Sequence, residues 1–213
     1  EFDKVFMRKD PPVDENYMNA LHILSQAESE GANIFNRPSA LMKFNEKIFA
    51  LQFSSWMPDT HVICKEEDFK SFKEKYSNII LKPLNGMGGD SIYKFNKSSE
   101  DHLKIFKSLT NNYQTMVMVQ DFLSEIYDGD YRILIINGKP FPIALARIPQ
   151  DGSFKGNLAA GGRGEARELS DDQINLSKEI GKLLIKEGIF FAGIDMIGNY
   201  LTEINITSPT GAR

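Results

Sequence analysis

The chain has 213 residues, 41% hydrophobic and 25% charged, with 25 basic against 29 acidic side chains and a net charge of −4. This suffices for one large or two small domains that bury a core without staples, and it excludes the broad basic field that nucleic-acid binding needs. The single cysteine, Cys64, excludes an internal disulfide framework and suits a reducing cytosol. No apolar run approaches the roughly 18 residues of a membrane span, and no signal peptide opens the chain. A cytoplasmic protein without a membrane partner is therefore expected, and the sequons at Asn96, Asn175 and Asn205 carry no meaning.

In chain order, Phe2–Met7 reads as a buried strand ended by Pro11-Pro12. Asp14 can cap a helix over Glu15–Glu30, with Met18, Leu21, Leu24 and Ala27 at three-residue steps, Ala20 and Ile23 flanking them, and Gly31 closing it. "NIFNRP" is a short strand and "SALMKFNEKIFALQFS" is helical in period. Residues 1–45 thus form one β-α-β piece, the tail of an α/β domain. From about residue 58 to 120 come strand "THVIC", helix Glu66–Tyr76, strand "NIILKPL", a glycine loop, strand "DSIYKF", helix Ser99–Thr110 and strand "TMVMVQDF", a small sheet with helices on one face. "YRILIINGKPFPIALARI" is a hairpin about Asn137-Gly138. The glycine- and alanine-rich "PQDGSFKGNLAAGGRGEA" buries too little to order itself and is expected to be mobile. Helix Asp171–Glu187 and the hairpin "IFFAGIDMIGNYLTEINI" complete the chain. Both ends read as cut, so a fragment of a longer enzyme is expected.

Three features carry chemistry. Lys82 followed by Gly86, Gly88 and Gly89 between two strands fits either a flap whose backbone N–H groups approach phosphate or a tight hairpin with a surface lysine. It is not a Walker A loop, which opens a helix with Gly-Lys-Ser/Thr. In "GIDMIGNYLTEIN", a three-residue turn Gly198–Tyr200 sets Asp195 opposite Glu203, with Asn205 on the same face and Ile194, Met196, Ile204 and Ile206 on the core face. Like charges so paired destabilise a sheet unless a cation intervenes. Two carboxylates and an amide are hard oxygen ligands suited to Mg²⁺, although a half-exposed polar face fits the same pattern. Arg132 and Arg147, on the strands of the first hairpin but not directly opposite, suit bidentate phosphate or carboxylate binding, or ion pairs with local acids. Lys47 alone reads as a surface lysine. His22, His61 and His102 share no ligand-like spacing, and Trp56 and the phenylalanines read as core.

Taken together, "MRKDPP", "NEK", "IILKPLNGMGG", "GDYRILIINGKP", "ARIPQDGSFKGNLAAGGRGE" and "GIDMIGNYLTEINITSPTG" resemble bacterial glutathione synthetases, which are ATP-grasp ligases, over essentially the whole chain. The resemblance implies an α/β (α+β) fold of two ATP-grasp subdomains, 46–120 as the nucleotide lid and 121–213 as the catalytic half, behind the α/β tail 1–45. It implies that Lys47 and Lys82 contact phosphates, that Gly86, Met87, Gly88 and Gly89 form the flap, and that Gln120, Asp121, Phe122 and Leu123 form the hinge that reads adenine. It places Asp130 near the ribose and phosphates, and makes Asp195, Glu203 and Asn205 the ligands of Mg²⁺, with Mn²⁺ as an alternative. Arg132 and Arg147 would face the acyl phosphate and dipeptide, and the mobile loop Ile148–Arg163, with Lys155 and Arg163, would close over the intermediate. Lys155 departs from the arginine common in the family, and Gly211 falls at a variable position. The implied reaction phosphorylates the cysteinyl carboxylate of γ-glutamylcysteine with ATP, and glycine then displaces phosphate to give glutathione. A homotetramer is implied, and so is a dipeptide site that draws on a longer chain, so these 213 residues alone are expected to bind nucleotide but to ligate poorly. The alternatives are another ATP-grasp amino-acid or peptide ligase and a nucleotide-binding module without turnover.

Overall fold

A computed structural model of the chain describes residues 2–86, 91–158 and 161–212. Strand β1 (Val5–Phe6) pairs in parallel with β2 (Ile34–Phe35), with α1 (Glu15–Ser29) between them. Asp14 caps α1 by accepting the Tyr17 N–H at 2.8 Å. Gly31, at φ +102°, turns the chain away. The expected strand at Phe2–Met7 is shorter than its apolar composition suggests. Phe2 is 88% exposed, and of that run only Met7 reaches the core. Ile23 is likewise exposed, so the buried stripe of α1 runs through Tyr17 and Leu21.

The helical run expected over 39–54 is broken. Helix α2 (Pro38–Lys43) ends at Phe44, which is extended, and Asn45 caps a new helix, α3 (Glu46–Ala50), accepting the Lys47 and Ile48 N–H groups. The asparagine side chain competes with the helical backbone and restarts it at a new angle. Phe44 stacks on Phe49 across the break, with ring centroids 4.0 Å apart. A 3₁₀ turn, Leu51–Trp56, follows.

Strands β3 (Thr60–Ile63), β4 (Asn78–Pro83), β5 (Tyr93–Asn96) and β6 (Val117–Asp121) form an antiparallel sheet in the order β3-β6-β4-β5. Helices α4 (Glu66–Lys75) and α5 (His102–Leu109) complete its core around Phe69, Phe106, Ile79 and Val119. The larger sheet holds β7 (Asp130–Ile136), β8 (Lys139–Pro140), β9 (Ile143–Ile148), β10 (Arg163–Glu168), β11 (Phe191–Ile197) and β12 (Tyr200–Asn205), with the path β10-β9-β7-β11-β12 and β8 beside β7. Helix α6 (Asp171–Glu187) packs on it, started by a Ser170/Gln173 capping box and ended by Gly188 at φ +78°.

Two expectations are corrected here. Arg163–Ala166 belongs to strand β10, paired with β9, rather than to the loop. Helix α3 and the turn at 51–56 share the core of the larger sheet, so the unit built on the small sheet begins near residue 58 rather than 46. Helix α3 packs against β12 and thereby brings the buried Lys47 to Glu203 on that strand.

Candidate functional site

A cavity of about 580 Å³ lies between the two sheets. The small sheet and its connection contribute Lys82, Gln120, Asp121, Phe122 and Leu123, and the larger sheet contributes Asp130, Arg132, Arg147, Asp195, Glu203 and Asn205. Lys47 arrives on α3, and Gly86, Phe154 and Lys155 arrive on loops. Met87, Gly88 and Gly89 of the expected flap lie outside the described residues, as do Ala159 and Ala160 of the loop.

The pairing of Asp195 with Glu203 occurs as the residue pattern predicts. The turn does not. Strands β11 and β12 meet in a tight turn at Gly198-Asn199, with Ile197 opposite Tyr200, and a bulge at Thr202 restores the register before Asp195. The Thr202 hydroxyl donates to the Asp195 carbonyl at 3.1 Å and seals the bulge. Ile194, Met196, Ile204 and Ile206 are all fully buried beneath.

Side chains of this protein already relieve the like-charge conflict. Arg132 forks onto both oxygens of Asp195, through Nε to Oδ1 and through Nη2 to Oδ2 at 2.9 Å. Arg147 Nη2 lies 3.0 Å from the same Oδ1 and donates to Asp130 Oδ2 at 2.5 Å. Asn205 Nδ2 donates to Asp195 Oδ2 at 3.1 Å. The roughly four lone-pair sites of a carboxylate are thus all filled at Asp195. Burial alone would raise its pKa, but Arg132 and then Arg147 outweigh it and hold the carboxyl well below the usual range. Burial dominates at Asp130 and pushes it up to about 6 against the pull of Arg147. Among the described residues its Oδ1 is buried without a partner. Asp130 is thus tied to Arg147 through Oδ2 on the cavity wall.

Glu203 faces the other way. Its Oε1 lies 3.3 Å from Lys47 Nζ and 3.7 Å from Lys82 Nζ. Both lysines are buried, and burial lowers the pKa of Lys82 against the attraction of Glu203. Lys47 also donates to the Gly86 carbonyl at 2.8 Å, at the base of the glycine loop. Among the described residues, Glu203 Oε2 and Asn205 Oδ1 have no partner. These two hard oxygens fit one side of a divalent cation whose remaining ligands are phosphate and water. Asp195 would have to release an arginine or Asn205 to join them.

Gln120 is held by the Thr60 hydroxyl at 2.9 Å. The Phe122 N–H is taken by Asn78 O, while the Leu123 N–H is open among the described residues. Arg163 does not reach the site. Its side chain is 73% exposed and paired with Glu165 at 2.7 Å. Residue pattern did not single out Glu46, Thr207 or the carbonyl of Thr210, which accepts from Arg132 Nη1 at 3.1 Å. Their link to the site depends on contacts more than 70 residues apart in sequence, which leave no local signal.

The family model for the prokaryotic glutathione synthetase ATP-grasp domain matches residues 46–213, and that for the prokaryotic glutathione synthetase N-terminal domain matches residues 1–42. Among curated proteins, the glutathione synthetases of Vibrio parahaemolyticus and Escherichia coli K12 are each 46% identical over 213 residues, covering 100% of this chain and 67% of the relative. Among solved structures, D-cycloserine synthetase DcsG superposes with a TM-score of 0.72 at 14% identity, over 98% of this chain and 77% of that one. D-alanine–D-alanine ligase from Bacillus anthracis, complexed with ATP, gives 0.62 at 14%, over 97% and 69%. The ATP-grasp ligase PsnB, complexed with Mg and ADP, gives 0.66 at 19%, over 93% of this chain and 61% of that one. At these identities the structures speak to the fold alone, which is ATP-grasp.

Proposed function

The chain belongs to the prokaryotic glutathione synthetase family, and on that premise we propose that it joins γ-glutamylcysteine to glycine at the expense of ATP. The observation that carries this reading is the cavity itself. Lys47, Lys82, Arg132 and Arg147 converge on a space between two sheets, opposite two uncommitted oxygens on Glu203 and Asn205.

Lys47 and Lys82 take the triphosphate, exchanging Glu203 for phosphate oxygens. The Leu123 N–H and the Phe122 region receive the adenine. Glu203 and Asn205 would hold a divalent cation, Mg²⁺ or Mn²⁺, which would supply screening of the phosphate charges. Arg132 and Arg147, already fixed by Asp195 and Asp130, stabilise the charge that builds on the transferred phosphoryl group and on the cysteinyl carboxylate. The amine of glycine then attacks the acyl phosphate and phosphate leaves. No side chain acts as a nucleophile, so the protein contributes position, charge and the exclusion of water. Lys155 and Phe154, on the loop before β10, line the cavity and close over the intermediate, while Arg163 is left out.

The test is ADP release with γ-glutamylcysteine plus glycine against other acid–amine pairs. Equal release with D-alanine pairs or with single amino acids would favour another ATP-grasp ligase, and nucleotide binding without release would favour a module lacking turnover. A cytoplasmic homotetramer accords with the family and is tested by sedimentation. Among the described residues no helix is long and apolar enough to cross a membrane.

A further inference from the structure

Glu46 is the first residue of α3, and its carboxylate crosses to the far end of β12. One oxygen, Oε1, accepts the Ile206 N–H at 2.7 Å, the Thr207 N–H at 2.9 Å and the Thr207 hydroxyl at 2.9 Å. The ladder between β11 and β12 ends at Asn205, so no strand partner takes these two amides. Both residues are nevertheless buried. Two buried N–H groups in succession demand an acceptor, and Glu46, reaching from 160 residues away, is that acceptor.

The place that Glu46 fixes matters. Asn205, just before it, donates to Asp195. Segment 208–212, just after it, lines the cavity, and its Thr210 carbonyl accepts from Arg132. On the next residue of α3, Lys47 reaches Glu203. The first turn of α3 therefore grips β12 at two points, one beside the nucleotide lysines and one beside the arginines.

We propose that Glu46 is a positioning residue for the acyl side of the site. It sets segment 206–212, and through the Thr210 carbonyl Arg132, from its own place on the cavity wall. The proposal rests on the ligase reading. Glu46→Ala leaves both amides without an acceptor, and the strand end shifts. A displacement of about 1 Å at a reacting centre costs roughly 100-fold in turnover. Glu46→Gln keeps an acceptor oxygen at the same reach and recovers most of that loss.

The experiment measures three quantities for the parent, Glu46→Ala and Glu46→Gln: kcat and KM for γ-glutamylcysteine, the Kd of a non-hydrolysable ATP analogue, and amide hydrogen exchange at Ile206 and Thr207. Expected for Glu46→Ala are a fall in kcat, an unchanged analogue Kd, and fast exchange at the two amides with α6 still protected. A Glu46→Ala variant with parental kcat, one whose analogue affinity falls as far as its turnover, or equal losses in both variants overturns the proposal. An inactive parent bears on the turnover of this chain rather than on Glu46, whose role the exchange comparison then decides: amides at Ile206 and Thr207 that stay protected in Glu46→Ala overturn it.

Discussion

Replacing Glu203 with glutamine removes the carboxylate that two buried lysines share. At 3.3 Å and 3.7 Å, and with an effective dielectric constant of about 20, the two attractions are worth about 5 and about 4.5 kcal/mol before desolvation. The net loss is smaller, because Lys82 can shed its proton. Breaking one side of a buried pair costs about 3–5 kcal/mol, and this range is expected for the ligand-free variant. The pH dependence follows from sign. Burial already lowers the Lys82 pKa, and Glu203 is the largest opposing influence. Without Glu203 the folded pKa drops further, the unfolded chain binds more protons than the folded one, and stability rises with pH. Urea denaturation of parent and variant at pH 7 and pH 9 should therefore show a gap that narrows toward pH 9. In the ADP-release assay, loss of a charged metal ligand should cost roughly 100-fold. A gap that widens with pH would refute the electrostatic reasoning, and unchanged dependence on Mg²⁺ would refute the role of Glu203 as a ligand.

Asp195→Asn strips Arg132 and Arg147 of their shared anion and should lower stability by about 3–5 kcal/mol. Because the folded carboxyl titrates below its unfolded value, its contribution is present above about pH 4 and fades below it, so the curves of parent and variant should converge in acid. Gly181→Ala places a Cβ 2.1 Å from the Gly138 carbonyl oxygen in the turn after β7. Despite alanine's better helix propensity, chemical denaturation should report a net loss of about 1–3 kcal/mol. The loop at 149–162 should be cut quickly by protease without ligands and be protected by ATP analogue plus dipeptide, and equal cleavage in both conditions would count against closure.

What could be read from sequence was local or two-stranded. Asp14 announces its helix because capping is settled within three residues. Asp195 and Glu203 could be paired because only a short turn separates them, and their pairing survived a misread turn because the bulge at Thr202 absorbs the one-residue error. The break at Phe44-Asn45 was missed since helical period continues through it, and only the side chain of Asn45 interrupts the backbone. The strand character of Arg163–Glu168 was hidden by its glycine and charges, which an edge strand tolerates. Hardest to see was the choice left open for Arg132 and Arg147, between substrate and local acid. Their acids, Asp195 and Asp130, come together only because β7 lies between β9 and β11, a topology that no window of sequence contains.

That topology also divides the cavity into two kinds of charge. The arginines are forked onto acids at 2.5–3.0 Å, on three adjacent strands of one sheet. The lysines stand at 3.3 Å and 3.7 Å from one carboxylate and come from α3 and from the opposite sheet. Arginine's planar guanidinium loses little in being fixed before substrate arrives, whereas a lysine ammonium is a compact charge that re-aims easily. Within this cluster each arginine holds an acid of its own, whereas the two lysines share the single carboxylate of Glu203, which makes the lysines the pair open to an anionic ligand. A triphosphate entering between the sheets can outcompete the single, longer contacts of Glu203 for Lys47 and Lys82 while leaving the arginine cluster intact. The released Glu203 is then free beside Asn205, where a cation accompanying the phosphates would need it. On the proposed ligase reading, nucleotide binding and completion of the metal-binding edge would then be one event, with Glu203 the residue exchanged between them.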